Sequence, residues 1–342
     1  MPNRYTGGFV TNTEVLPTTS TASGVWSLQE QLMYRKSELW QLDLNTRALF
    51  AGGDVTSNDN NTIEKIEIPT TANSTDFGDL SDGRHSSVGV GSTARAIFAG
   101  GAKVNTEVNT IEFVTIANTG NVTDFGDMTV AKQSHAGASN NTRGVLGGGE
   151  LADGSRTNVI EYITIATTGD SADFGDLTLD ERKDLAAVSS PTRAVFAGGT
   201  SNTAGQYENH IEYVTIGSLG NSTDFGNLST GFAFHTAASS QTRGVFAGGQ
   251  DYNATNVDIE FITIASAGNV TDFGDLTVYR DGAGGTGSQT RGVFAAGSNL
   301  GNANNTIDYI TFASAGNATD FGDTTAIGRF VGATSGAHGG IG

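Results

Sequence analysis

Apolar and polar positions along this chain fall into three phrases that recur in a fixed order. The first is a short apolar run closed by small residues, "TRALFAGG" at 46–53. Its later copies are "ARAIFAGG" (94–101), "TRGVLGGG" (142–149), "TRAVFAGG" (192–199), "TRGVFAGG" (242–249) and "TRGVFAAG" (290–297). The second is "TIEKIEI" at 62–68, followed later by "TIEFVTI", "VIEYITI", "HIEYVTI", "DIEFITI" and "TIDYITF". The third is "TDFGD" or a close variant, with its Phe at 77, 125, 174, 225, 273 and 321, so that successive spacings are 48, 49, 51, 48 and 48. Short apolar runs rich in β-branched and aromatic residues, bounded by Gly, Asn and Thr, predict strands.

Each unit reads as four strands. The first lies just before the Thr-Arg pair, as in "FAFHTAASS" (232–240); the second is the "RGVFAGG" run; the third is the "IEYVTI" run; the fourth carries the Phe. The third is apolar on both alternating sets, with Ile211, Tyr213 and Thr215 on one and Val214 and Ile216 on the other. A strand covered on both faces has that pattern. Repeats of this length with several strands each predict a β-propeller, in which neighbouring blades supply the cover. The paired glycines predict positive φ or a bulge where the chain turns toward the third strand. The stretch before each Phe, such as "AGNVTDF" (267–273), is turn chemistry, and the Phe is expected to plug between blades.

Strands two, three and four each occur six times, but strand one precedes only repeats two to six, at about 84–92, 132–140, 182–190, 232–240 and 280–288. Upstream of Thr46, "SELWQLDLN" does not match, and the missing copy is "GRFVGATSG" at 328–336. The expected fold is therefore all-β: a six-bladed propeller over 42–342, closed when strand 328–336 enters the first blade as its inner strand. Closure of this kind leaves no open sheet edge.

Residues 1–41 do not fit the repeat. A Gly/Thr/Pro-rich extended stretch precedes a short predicted helix, with Ser27 as N-cap and Glu30 completing a capping box. Phe9, Val25, Trp26, Leu28, Leu32, Leu39 and Trp40 make the segment too apolar for a free tail, so it is expected to dock as an anchor.

Bulk composition narrows the function classes. The chain has 342 residues, 48 Gly, 4 Pro and no Cys, which removes disulfides and thiolate metal sites. The formal charge of −18 is spread over every repeat and repels phosphate backbones, so nucleic acid is not an expected partner. No apolar run reaches bilayer length, and membrane insertion is not expected either.

A strand ending in two glycines, then a strand with an aromatic, then an outer bulky aromatic resembles the kelch repeat, over about residues 42–336. Phe77 and its equivalents stand where kelch blades commonly place Trp. The opening "GGF…PTT…ASGVWSLQEQ…LW" is similar to the N-terminal segment of many tailed-bacteriophage structural proteins. The "TRGVFAGG" and "NTIEYITIA…TDFGDL" style is similar to marine and cyanobacterial phage virion proteins. The resemblance implies a non-enzymatic virion protein, either a tail fibre or tail-associated protein or a capsid-surface decoration. Its anchor at 1–41 would bind other virion proteins, and its propeller would project to decorate the particle or touch a host glycan or receptor. A homo-oligomer within the virion fits the same picture. Two other classes remain open: a cellular kelch scaffold and a glycan-acting propeller enzyme.

No cofactor or metal is expected. The repeat arginines (Arg47, Arg95, Arg143, Arg193, Arg243 and Arg291) are expected to support each its own blade rather than to ring a ligand. "STDFGDL" (74–80) echoes the Asp-box of sialidases but lacks its trailing Trp. His135 and His235 share a register on inner strands and could face the axis, which falls short of a metal set. Asp and Asn in "GGDVTSNDNNT" (52–62) are read as loop solvation. The copies differ most between strands two and three, on the face that also carries the strand-four-to-one connections. That face is expected to present Tyr207, Tyr252, Phe232, Phe234, Tyr279, Arg182 and Arg280 for surface recognition.

Overall fold

The structure, a computed structural model, describes residues 46–341 apart from 56–57, 105, 180, 203–205, 252–255, 300 and 326–327. The chain divides into two units, Met1–Leu44 and Asn45–Gly342. The predicted anchor and helix lie outside the described residues, and among those described every regular element is a strand.

Six four-stranded antiparallel sheets form a six-bladed β-propeller. Blade five is typical, running outward from the axis as Thr236–Ser239, Arg243–Ala247, Asp258–Thr263 and Thr271–Asp275. Blade one is completed from the far end of the chain: Gly332–Ser335 pairs with Arg47–Ala51, with Ala48 opposite Ser335 and Ala51 opposite Gly332. The predicted closure is therefore present.

The apolar core is six clusters, one at each blade interface. Leu49, Ile63, Phe77 and Leu80 of blade one, for example, pack against Ala96, Phe98 and Val114 of blade two. Phe77 and its five counterparts are each almost fully buried, as plugs between blades must be.

The repeat arginines correct an expectation. Each reaches across to the next blade rather than serving only its own. Arg95 Nη1 donates to the Ile165 carbonyl at 2.9 Å, Arg143 to Ile216 at 2.8 Å, Arg193 to Ile264 at 2.8 Å and Arg291 to Ile68 at 3.1 Å. Arg47 to Ile116 and Arg243 to Phe312 complete the circuit. Five of the guanidinium groups also lie over the aromatic ring of their own third strand, 4.4–4.6 Å from its centroid. The planar fork can stack and donate at once, which a lysine cannot do. The Asn or Asp in each turn before "TDFGD" adds a second tie: Asn121 accepts from the Asp79 amide and Asn73 from the Asp323 amide.

The inner strands are shorter than predicted. They are Val88–Gly91, Ala136–Ser139, Ala186–Ser189, Thr236–Ser239, Gly284–Gly287 and Gly332–Ser335. Two residues before each strand the backbone turns left-handed, at Ser86, Ser134, Asp184, Phe234, Gly282 and Phe330, with φ between 54° and 60°. A residue in that conformation ends a strand. The preceding residues instead pair outward with the loop between strands two and three, as Lys132–Gln133 does with Glu150–Leu151. Small side chains fill the inner strands because six of them converge on one axis. A Cβ on Gly89 would lie 2.3 Å from the Ala333 carbonyl oxygen.

Candidate functional site

Three adjoining cavities of about 90, 130 and 40 Å³ follow the propeller axis. They are closed at the face of the strand-one-to-two turns and open at the other. The closure is the segment after the last strand, Gly336–Ile341. His338 Nε2 donates to the Gly91 carbonyl at 3.1 Å and lies 3.2 Å from Ser139 Oγ, while its Nδ1 accepts from the Gly340 amide at 3.2 Å. These bonds define a neutral tautomer, and burial lowers the His338 pKa to about 4. Gly340 lies so close that a Cβ would overlap the Ser139 carbonyl oxygen, which accounts for "HGG" at this point.

The open mouth is a closed ring of backbone hydrogen bonds through the six left-handed residues. Ser86 donates to Phe330, Ser134 to Ser86, Asp184 to Ser134, Phe234 to Asp184, Gly282 to Phe234 and Phe330 to Gly282, at 2.6–3.1 Å. A left-handed Phe carries strain of roughly 1–3 kcal/mol, tolerated only where its surroundings over-determine the backbone. The cyclic bonding does so here, with glycine at only one of the six positions.

The side chains around this ring divide into two halves. Phe234 and Phe330 pack together over Gly282, with centroids 5.8 Å apart. Opposite them lie Ser86, Ser134 and Asp184. Burial raises the Asp184 pKa to about 6, and its carboxylate accepts from Thr200 Oγ1 at 3.3 Å. His135 and His235 stand just inside the ring, almost fully buried; among the described residues the His135 nitrogens have no hydrogen-bond partner, and His235 has only the Ala197 backbone beside it. Burial drives both pKa values down, His235 to about 3; the Lys132 and Arg84 charges add to the effect on His135, and Arg182 to that on His235, against a smaller opposing effect of the Ala197 backbone. Both rings are neutral at physiological pH. Among the described residues no group of three or more His, Cys, Asp or Glu could hold a metal ion.

Asp184→Asn is expected to stabilise the protein at neutral pH. A carboxylate raised from 3.8 to about 6 by burial costs stability above the folded pKa, and that cost fades as pH falls toward the unfolded value. The difference in melting temperature between variant and parent should therefore grow from pH 4 to 6 and stay level above it. The shift corresponds to about 3 kcal/mol at most. A difference independent of pH over this window would show that Asp184 does not titrate there.

Three residues expected at the recognition surface are not there. Arg182 and Arg280 are fully buried, and Phe232 is core. The arginines are members of a recurring internal ion pair that links the connection into a blade with the acid of its third strand. The pairs are Arg84–Glu112 at 2.8 Å, Lys132–Glu161 at 3.3 Å, Arg182–Glu212 and Arg280–Asp308. Arg182 also donates to the carbonyls of Gly198 at 2.8 Å and His210 at 3.1 Å. In blade five the cation's position is taken by Phe232, packed with Phe225, Leu228 and Phe246. The local sequence shows a polar connection; only the fold reveals that it dives inward. A spacing of 28–30 residues between each cation and its acid carried the signal.

The other candidates lie elsewhere. Phe234 is in the mouth itself. Tyr279 is 54% exposed, and Tyr207 is half-buried with its hydroxyl 3.5 Å from Gln250. Tyr252 is outside the described residues. Ser86, Ser134, Asp184 and Phe330 were not singled out by the sequence, because their left-handed register becomes visible only when all six connections are superposed around the axis. No protein-family model matches the chain, and no curated protein matches it.

Proposed function

We propose that the protein is a non-catalytic recognition or decoration module of a tailed-phage particle, held to other virion proteins by residues 1–41, with the propeller turned outward. The observation that carries this reading is the difference between the two faces. The face of the strand-one-to-two turns is built from near-identical turns and sealed on the axis by Gly336–Ile341. The face of the loops between strands two and three holds the residues that differ from blade to blade, surrounding a preformed mouth. A rigid closed ring with one variable face suits display and surface contact. A single carboxylate, Asp184, lines that mouth among the described residues, whereas glycoside hydrolysis ordinarily uses a facing pair, which favours binding over turnover.

The particle role is tested by deleting residues 1–41 and purifying assembled virions. The full chain is expected to copurify, and the deleted chain is expected to remain in the soluble fraction while still melting cooperatively. Equal incorporation of both would defeat the proposed anchor. Failure of both to copurify, with stoichiometric capture of a cellular protein by residues 46–341, would favour the scaffold reading.

A further inference from the structure

We infer that the axial mouth is a subsite for one terminal pyranose ring, seated with its C–H face on Phe234 and Phe330 and its hydroxyls toward Ser86, Ser134 and Asp184. This rests on the surface-recognition reading and goes beyond it by naming the place and the ligand class. Four observations support it. The first is the division of the ring into an aromatic half and a hydroxyl-and-carboxyl half, which matches the two faces of a sugar.

The second is the pair of buried imidazoles. His135 and His235 line the cavity below the mouth; among the described residues the His135 nitrogens have no partner, and His235 has only the Ala197 backbone beside it. A neutral imidazole offers one donor and one acceptor, the pairing that a hydroxyl group satisfies in either direction. A buried polar group without a partner carries a desolvation cost that a bound hydroxyl would recover.

The third is size. The cavity at the mouth is about 90 Å³ and continues inward into one of about 130 Å³. A single ring laid on the two phenylalanines inserts one polar edge toward the imidazoles, an arrangement that suits a chain end better than an internal residue.

The fourth is rigidity. All six backbone groups that form the rim are bonded to one another, so the walls are set before any ligand arrives. Preorganisation of this kind reduces the ordering cost of binding. Two left-handed phenylalanines at this rim place strain where the ligand would sit.

The test uses the full chain at pH 7.5 with methyl α-D-glucopyranoside, methyl β-D-galactopyranoside and methyl N-acetyl-β-D-glucosaminide in saturation-transfer NMR, together with a glycan array. At least one pyranoside is expected to bind, with its C–H protons saturated most strongly by the aromatic wall. Phe330→Ala and Asp184→Ala should each weaken binding at least tenfold, whereas Tyr279→Ala should change it less than twofold. Should Phe330→Ala fail to fold, Ser134→Asn narrows the mouth without removing a wall, since Asn tolerates left-handed backbone, and should give a similar loss. Binding that survives all the mouth variants would overturn the axial subsite while leaving glycan recognition elsewhere on the face. Absence of binding to every pyranoside and arrayed glycan would overturn it too, and the particle role would still stand or fall on copurification alone.

Discussion

Removal of residues 328–342 is expected to abolish the cooperative fold. The loss strips blade one of its inner strand, exposing the Arg47–Ala51 edge that Gly332–Ser335 covers. It also opens the interface with blade six, where Val331 packs with Ala48, Phe50, Val293 and Phe321. The axial seal at His338 goes at the same time. In a ring, each blade is held on two sides, so an incomplete blade weakens both of its neighbours' interfaces. The expected loss is on the order of the 5–15 kcal/mol that separates folded from unfolded states in a typical domain. Calorimetry should show no sharp transition, and size-exclusion chromatography should show aggregates formed through the bare edge. A truncated chain that stayed monomeric and melted like the parent would mean that the ring does not depend on its latch.

The second large effect is expected from Glu212→Ala. This carboxylate faces Arg182, and both side chains are completely buried. Its removal takes away the carboxylate that faces a fully buried guanidinium, while the Gly198 and His210 carbonyls stay in place. Breaking a buried pair from one side typically costs about 3–5 kcal/mol, because an isolated charge cannot regain its hydration. For a domain of this size that is a fall in melting temperature of roughly 5–8 °C. The double replacement Arg182→Met with Glu212→Leu should recover most of the loss, since apolar residues of similar volume remove both desolvation penalties together. Blade five shows that the cation's place accepts an apolar side chain, Phe232, although its acid Glu260 is kept and accepts from the Ser229 amide. Equal stability of the single and double variants, measured by urea denaturation, would show that the pair carries no special cost when broken.

Much of the architecture was legible in the residues. The "TDFGD" phrase gave the period, the "FAGG" and "IEYVTI" phrases gave the two central strands, and the unmatched "SELWQLDLN" identified the gap that 328–336 fills. These features are legible because a strand's alternation and a turn's glycines are local consequences of backbone geometry. The candidate site was legible only in part. Phe234 was named for its place on the variable face, and His135 and His235 for their shared register. Arg182 and Arg280 were misplaced because a charged residue in a polar connection looks solvated until an acid 28–30 residues later is brought against it. Phe232 was misplaced for the converse reason: an aromatic two residues from Phe234 gave no local sign of facing the core.

The sequence by itself determined the unit, the number of units and the way the circle closes, since each follows from short-range pattern and arithmetic. The tertiary structure alone decided what the circle does to its members. Rotation about a common axis brings equivalent residues from six distant segments into one rim, and links each repeat arginine to the following blade as well as its own. It buries charges in pairs and leaves one end of the axis open beside Asp184, Phe234 and Phe330. The rim and the cross-blade ties join segments about 48 residues apart or more, and the buried pairs join residues 28–30 apart, separations at which local alternation and turn chemistry carry no information about contact.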